Sequence, residues 1–267
     1  MKIIIKENPS ELGREAGRIA GQTIRKSIAN KGHANIILAT GTSQFETLKQ
    51  LLQEDVEWNH VTMFHLDEYI GLPESSPASF RKYLKERFIQ KAERLKEVHL
   101  INGGTDPANE CHRLGELIRE NPIDLALVGI GENGHLGFND PPADFETDEP
   151  FIVVHLDDQC RQQQYNEGWF KTIEEVPPQA ITMSVKQIMK SGQIICSVPD
   201  SRKAVTVKDC VEHPVSNMFP ASILRTHPDC FCFLDKSSSP YLQIRRRGER
   251  KLRLKIELFL NKITRVE

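Results

Sequence analysis

Between Val128 and Pro142 an apolar run breaks into Val-Gly-Ile-Gly-Glu-Asn-Gly-His-Leu-Gly-Phe-Asn-Asp-Pro-Pro, the densest chemistry in the chain. This stretch joins one histidine, His135, to an acid, Asp140, and an amide, Asn133, on a glycine-rich turn that lets backbone approach a small ligand. Two further acids, Asp67 and Glu68, follow the apolar run 61–66. Adjacent carboxylates before a turn, with no basic neighbour in sequence, suit a base better than a salt bridge, although surface turns carry acids as well. Anion-binding chemistry resides in Thr40, Gly41, Thr42 and Ser43, in Arg161 among amides, and in Lys203. A hydroxyl-rich turn between a strand and a helix offers backbone N–H groups to an anion, while a plain helix cap uses the same residue types. Lys203 falls in the first turn of an expected helix, where the dipole favours anions, so a bound phosphate accounts for a cation there.

The elements that must position these groups are short apolar segments. Residues 35–39, 61–66, 123–128 and 193–198 have the pattern of strands buried on both faces of a parallel sheet. Further strands are expected at 98–101, 151–156, 180–184 and 230–234, and helices at 10–28, 45–52, 107–120 and after Lys203. Four of the expected parallel strands end in the polar clusters at 40–43, 67–68, 133–140 and 203. In open α/β sheets ligands bind outside the carboxyl ends of the strands, so the four clusters can share one crevice. The glycines 129, 131 and 134 also spell G-x-G-x-x-G after a strand. A dinucleotide site needs a helix to start in that turn, and Gly137 and Asp140-Pro-Pro142 oppose one, so no nicotinamide or flavin cofactor is expected.

At 267 residues, with 39% apolar and 27% charged content, the chain can form one large α/β domain. A net charge of −2 gives no general attraction to nucleic acid or membrane. No apolar run approaches the roughly 18 residues of a membrane span, and Met1-Lys-Ile-Ile-Ile5 is too short for a signal-peptide core. Six cysteines without C-x-x-C spacing fit reduced structural thiols, no zinc site and a cytoplasmic location. Residues 245–255 hold seven basic residues and one acid, and the alternating leucines and isoleucines that follow fit a strand, an amphipathic helix or a frayed tail. Taken together, a phosphate-holding end beside Asp67, His135 and Asp140 suits proton abstraction next to a carbonyl: isomerisation or lactone hydrolysis.

Leu66-Asp-Glu-Tyr-Ile-Gly-Leu-Pro73 and Gly129-Ile-Gly-Glu-Asn-Gly-His-Leu-Gly-Phe-Asn139 closely resemble the glucosamine-6-phosphate deaminase family. Thr40-Gly41-Thr42-Ser43, Arg161, Ser201-Arg-Lys203 and Leu224-Arg-Thr-His-Pro228 fit in the same order, so the likeness covers residues 36–234. The resemblance implies a single Rossmann-like three-layer α/β sandwich over 1–267, with a mostly parallel sheet and a basic C-terminal segment, 245–267, of no assigned role. It implies conversion of an amino-sugar phosphate, glucosamine 6-phosphate, to fructose 6-phosphate and ammonia, without metal or organic cofactor, by a chain that is often a homo-oligomer. Asp67 would be the enolising base and His135 would assist ring opening, with Asn133 and Asp140 as its partners. Thr40, Gly41, Thr42, Ser43, Glu68, Gly134, Arg161 and Lys203 would hold substrate, chiefly its phosphate. Three positions depart from the usual pattern: Asn133 for aspartate, Asp140 for glutamate and Gln44 for proline. The acidic segment 146–149 stands where regulated members carry basic residues, which opposes activation by an acetylated sugar phosphate. A 6-phosphogluconolactonase, which shares the fold, and a sugar-phosphate sensor without turnover are the alternatives.

Overall fold

Four apolar segments, β2 (Ala34–Leu38), β3 (Val61–His65), β6 (Leu125–Val128) and β9 (Gln193–Val198), are buried at every position except Gln193. The structure, a computed structural model, describes residues 1–243, and the basic segment singled out above lies outside them. The four strands pair in the order β9-β6-β2-β3 at the centre of a seven-stranded sheet. It is completed by β5 (Glu97–His99) beyond β3, and by β10 (Cys230–Asp235) and β1 (Lys2–Lys6) beyond β9. Every pairing in this sheet is parallel.

Because side chains alternate across a strand, each central strand feeds two cores. Ile36, Leu38, Leu125, Leu127 and Ile195 pack on one face with Leu12, Ala16, Ala20 and Ile24 of helix α1 (Pro9–Lys31). Ile37, Ala126, Val128, Ile194 and Cys196 pack on the other with Leu114 and Ile118 of α4 (Pro107–Glu120) and Val207 and Val211 of α7 (Ala204–Glu212). Burial on both faces is why these strands read as unbroken apolar runs. The short helices α2 (Phe45–Leu51), α3 (Phe80–Leu84), α5 (Asp158–Asn166) and α6 (Val185–Met189) fill the connections.

A separate three-stranded antiparallel sheet departs from the sequence-based expectation. The run that begins at Val61 leaves the main sheet at His65, and Asp67–Tyr69 forms a new strand, β4, paired with β8 (Gln179–Met183), which also pairs with β7 (Phe151–His155). Three residues opening on two acids carry no period-2 signal, so only the partner strand reveals β4. In this register Asp67 stands opposite Thr182. All six cysteines are free, and no helix among the described residues is long and apolar enough to cross a membrane.

The α1–α2 contact holds α2 and the turn before it close to the sheet. Gly13, Gly17 and Gly21 recur every fourth residue along one side of α1, and a Cβ on Gly17 would stand 2.6 Å from Gln50 Cβ and 2.7 Å from the Thr47 carbonyl oxygen. Glycine inside a helix costs stability relative to alanine, so close approach is what these residues supply. Gly17→Ala should therefore destabilise by about 1–3 kcal/mol instead of gaining helix propensity. Thermal unfolding checks this, and a variant as stable as the parent would show that the two helices have room to spare.

Candidate active site

The carboxyl ends of β9, β6, β2 and β3 open into one cavity of about 240 Å³, at or below the small end of the several-hundred-Å³ range of small-molecule sites. Asp67, His135, Thr40, Gly41, Thr42, Ser43 and Lys203 all line it. Four segments far apart in the chain thus meet at the position the strand-end argument predicts.

The two adjacent acids have opposite environments. Glu68 is fully buried and accepts from the backbone N–H groups of Tyr69 (2.9 Å), Phe80 (3.3 Å) and Arg81 (2.9 Å), from Ser79 Oγ (3.0 Å) and from Arg81 Nε (3.2 Å). Glu68 therefore sits in a buried salt bridge, contrary to the expectation that the adjacent acids suit a base better than a salt bridge: the cation lies thirteen residues downstream, on α3. It is absent from the cavity lining. None of these donors serves Asp67, which is 5% exposed at the cavity wall. Burial first, and the Glu68 charge second, push the Asp67 carboxyl up to about 8.

His135 is fixed from behind by a compact polar frame. Its Nδ1 lies 3.1 Å from Asp140 Oδ1, and its backbone N–H donates to Asn133 Oδ1 at 3.0 Å. The Asn133 amide nitrogen donates to Asp140 Oδ1 and to Asp157 Oδ2, both at 2.9 Å, and the Asp157 backbone N–H donates to Asp140 Oδ2 at 2.9 Å. Burial pushes the Asp140 carboxyl up, but the contact with His135 and the Asn133 and Asp157 donors outweigh it and hold the group below the usual carboxylate range. Only glycine fits at 131, where a Cβ would stand 2.2 Å from the His135 ring. Gly137, at φ +60°, brings the loop against Thr182 and Asp67. Among the described residues His135, Asp140 and Cys160 form the one set of donors, all within 4.8 Å, with metal-ligand chemistry. Burial pushes the Cys160 thiol well up, which disfavours the thiolate a metal requires.

The opposite end of the cavity is lined by Thr40, Gly41, Thr42, Ser43 and Lys203. Thr42–Gln44 form a 3₁₀ turn that runs into α2, and Gly41 before it takes φ 90°, ψ 169°, a conformation for glycine alone. Gln44, the residue in place of proline, is fully buried, and its side chain donates to the Val128 carbonyl at 3.0 Å, tying this turn to β6. Lys203 is 5% exposed, and burial pushes its ammonium down while Glu167 and Glu132 oppose that shift.

Asn133, Asp140 and Gly134 are not among the cavity-lining residues; the first two stand behind His135, and Gly134, at φ 90°, shapes the turn. Arg161 is also absent from the lining, since its Nη2 donates to the carbonyls of Ile173 and Val176 at 3.0 and 3.2 Å. Sequence reasoning singled out Arg161 from a polar run and passed over Gln163, Gln164 and Glu167, which do line the cavity. Helical spacing carried the signal. At 100° per residue, Cys160, Gln163, Gln164 and Glu167 share one side of α5 and its end, and Arg161 falls off it. Arg202, beside Lys203, was passed over as well.

Residues 7–232 match the family described as glucosamine-6-phosphate isomerases/6-phosphogluconolactonase. The chain is similar to a glucosamine-6-phosphate deaminase of Lactobacillus delbrueckii subsp. bulgaricus, 34% identical over 244 residues that cover 91% of this chain and all of the relative. One from Streptococcus pneumoniae is 35% identical over 245 residues with the same coverage. Among solved structures, one described as a monomeric glucosamine-6-phosphate deaminase superposes with a TM-score of 0.81 at 33% identity, covering 89% of this chain and 98% of that one. A 6-phosphogluconolactonase of Trypanosoma brucei shares the fold, with a TM-score of 0.73 at 17% identity over 89% of this chain and 97% of that one.

The frame behind His135 makes Asn133 the donor between two carboxylates. Asn133→Asp removes that donor and sets three acids together, and it should lower catalytic turnover at pH 7 by about tenfold or more, the effect of losing one charge-assisted hydrogen bond. Steady-state kinetics across pH measures it. An undiminished rate would show that the frame does not support His135.

Proposed function

This chain belongs to the family of glucosamine-6-phosphate isomerases and 6-phosphogluconolactonases, and from that premise we propose that it converts glucosamine 6-phosphate to fructose 6-phosphate and ammonia. The observation that carries the reading is a carboxyl held up near neutrality, a carboxylate-backed histidine and an anion-binding turn on one cavity wall. Full-length similarity to deaminases supports the same reading.

The Thr40–Ser43 turn and Lys203 hold the phosphate, which places the sugar carbons toward Asp67 and His135. His135 moves a proton during ring opening, and Asp140 stabilises the imidazolium that forms. Ionised Asp67 then takes the proton from C2 and returns it to C1, which leaves an iminium carbon at C2; a water molecule adds there, the C–N bond breaks, and ammonia leaves as the C2 ketone forms. A base near 8 is strong enough for a carbon acid, and its ionised form is the minority species at neutral pH and grows as the pH rises toward 8. The transfers use side chains alone, without an organic cofactor. Unpaired cysteines fit a reducing cytoplasm, and the charge of −2 fits a small-molecule substrate better than nucleic acid. The solved deaminase relative is described as monomeric, so self-association forms no part of the proposal.

Incubation with glucosamine 6-phosphate should release ammonia and fructose 6-phosphate together. Acid without ammonia would indicate a lactonase, and binding without product a sensor. Asp67→Asn should abolish turnover while substrate-analogue binding is retained, and full activity in that variant would remove Asp67 as the base.

The same carboxyl sets two pH responses. Activity requires ionised Asp67, so kcat/KM should rise with pH through about 8, and a profile flat from pH 5 upward would contradict this. In the unfolded chain the group releases its proton near 3.8, whereas the folded state keeps it to about 8. Between these values the folded state binds more protons, so Asp67 lowers stability as pH rises. Thermal unfolding of Asp67→Asn should therefore show a gain over the parent at pH 8 that is absent at pH 4.

A further inference from the structure

The anion-binding end of the cavity contains a second cation whose position is built with care. Arg202 lies in the turn Ser201–Lys203 and lines the cavity with Lys203. Asp200, which precedes the turn, takes φ 89°, a strained conformation for any residue but glycine, at a cost on the order of 1–3 kcal/mol. The strained residue directs its side chain onto Arg202: Oδ1 accepts from the Arg202 backbone N–H at 2.9 Å, and Oδ2 accepts from Nε at 3.0 Å and Nη2 at 2.8 Å. One edge of the guanidinium is thereby clamped. The remaining nitrogen, Nη1, lies 3.3 Å from Glu132 Oε1, an oxygen that is buried and has no hydrogen-bond partner. The same oxygen stands 4.0 Å from Lys203 Nζ. Glu132 belongs to the glycine turn after β6, and its backbone is anchored on both sides, with its N–H donating to Gln163 Oε1 at 2.8 Å and its carbonyl accepting from Thr206 Oγ1.

We infer that Arg202 is the second phosphate-binding cation of this cavity, oriented by Asp200 and held by Glu132 until a phosphate takes the place of that carboxylate. A guanidinium clamped along Nε and Nη2 keeps Nη1 to offer, and a phosphate oxygen is a better acceptor for it than a carboxylate oxygen that forms no hydrogen bond. Arg161, the isolated cation of the polar run, does not line the cavity, and its Nη2 donates to two backbone carbonyls, although its buried Nε has no partner. The assignment rests on the proposed sugar-phosphate substrate for its biological meaning, but the anion site can be measured without turnover.

The test is calorimetric titration of the full chain with inorganic phosphate, alongside KM and kcat for glucosamine 6-phosphate. Arg202→Gln should weaken phosphate binding and raise KM by about tenfold or more, with kcat changed much less, the size expected for one charge-assisted contact. Arg202→Lys should fall between, since it keeps charge and loses the fork. Glu132→Gln should tighten phosphate binding several-fold, a gain that a purely structural role for the Arg202–Glu132 pair would not produce. Circular dichroism and thermal unfolding establish that each variant is folded, and should Arg202→Gln fail there, the Lys and Glu132→Gln variants decide. Parental phosphate affinity in folded Arg202 variants, or a larger loss in Arg161→Gln, overturns the assignment. If phosphate binding responds as expected but no ammonia is released, the deaminase reading fails and the anion site stands. Ammonia release with unaltered phosphate binding in the Arg202 variants leaves the deaminase reading in place and removes the anion site.

Discussion

Two carboxylates adjacent in sequence are buried at the junction of the two sheets, and only one of them is solvated by protein. Glu68 collects three backbone N–H groups, a hydroxyl and the Arg81 guanidinium. Burying an ion with that many donors is tolerable, whereas burying one without them drives the proton on. Asp67 is the one without them, so its proton is retained to about 8. Burial raises the Glu68 carboxyl too, but the backbone donors and the Arg81 charge oppose that shift, and the Glu68 charge adds to the effect of burial on Asp67. The strand β4 enforces the division, because successive residues of a strand point to opposite sides, one into the donors and one to the cavity.

The histidine is held by a different balance. Asp140 is a short side chain, yet both of its oxygens are engaged, Oδ1 by His135 and Asn133 and Oδ2 by the Asp157 backbone. Asp157 in turn caps α5 through Oδ1, which accepts from the Cys160 N–H at 2.6 Å. The asparagine at 133 and the aspartate at 140 are thus two parts of one arrangement. With Asp157 close by, a carboxylate at 133 would face two others, while an amide can donate to both. A similar substitution at 44 has a similar explanation, since Gln44 uses its side chain to join the Thr42–Gln44 turn to β6.

Much of this was legible in the sequence because it rests on local pattern. Runs such as Ile36 to Leu38 and Leu125 to Val128 can be apolar throughout only if both faces are covered, and that alone indicates a parallel sheet with a crevice at its carboxyl ends. Asp67, His135, Thr42 and Lys203 were singled out because they follow strand ends, and all four line the cavity. What escaped depends on contacts between distant segments. The Glu68–Arg81 pair, the Asn133–Asp157 bond and the antiparallel partner of β4 each link residues that no window of sequence places together. Arg161 shows what residue type alone leaves out: it is a lone cation among amides, but it lies off the helix face that Gln163 and Glu167 present to the cavity.

The charges on the cavity wall connect the fold to the substrate. Asp67, Glu167 and Asp200 line the cavity against Arg202 and Lys203, with Glu132 beside both cations. Glu167 is held in place by Gln163 Nε2 at 2.9 Å and Trp169 Nε1 at 3.2 Å, so its charge is fixed. A wall in which carboxylates balance or outnumber the cations is a poor receptor for a ligand that is only anionic, because each nearby acid offsets a phosphate contact. A ligand with a phosphate at one end and an ammonium near the other meets both signs. On the proposed assignment Arg202 and Lys203 would answer the phosphate, and a cation next to Asp67 would draw its carboxyl toward the ionised form that proton abstraction needs. The amino group of the sugar would thus help charge the base that acts on the adjoining carbon, an advantage that a neutral sugar or lactone phosphate does not bring.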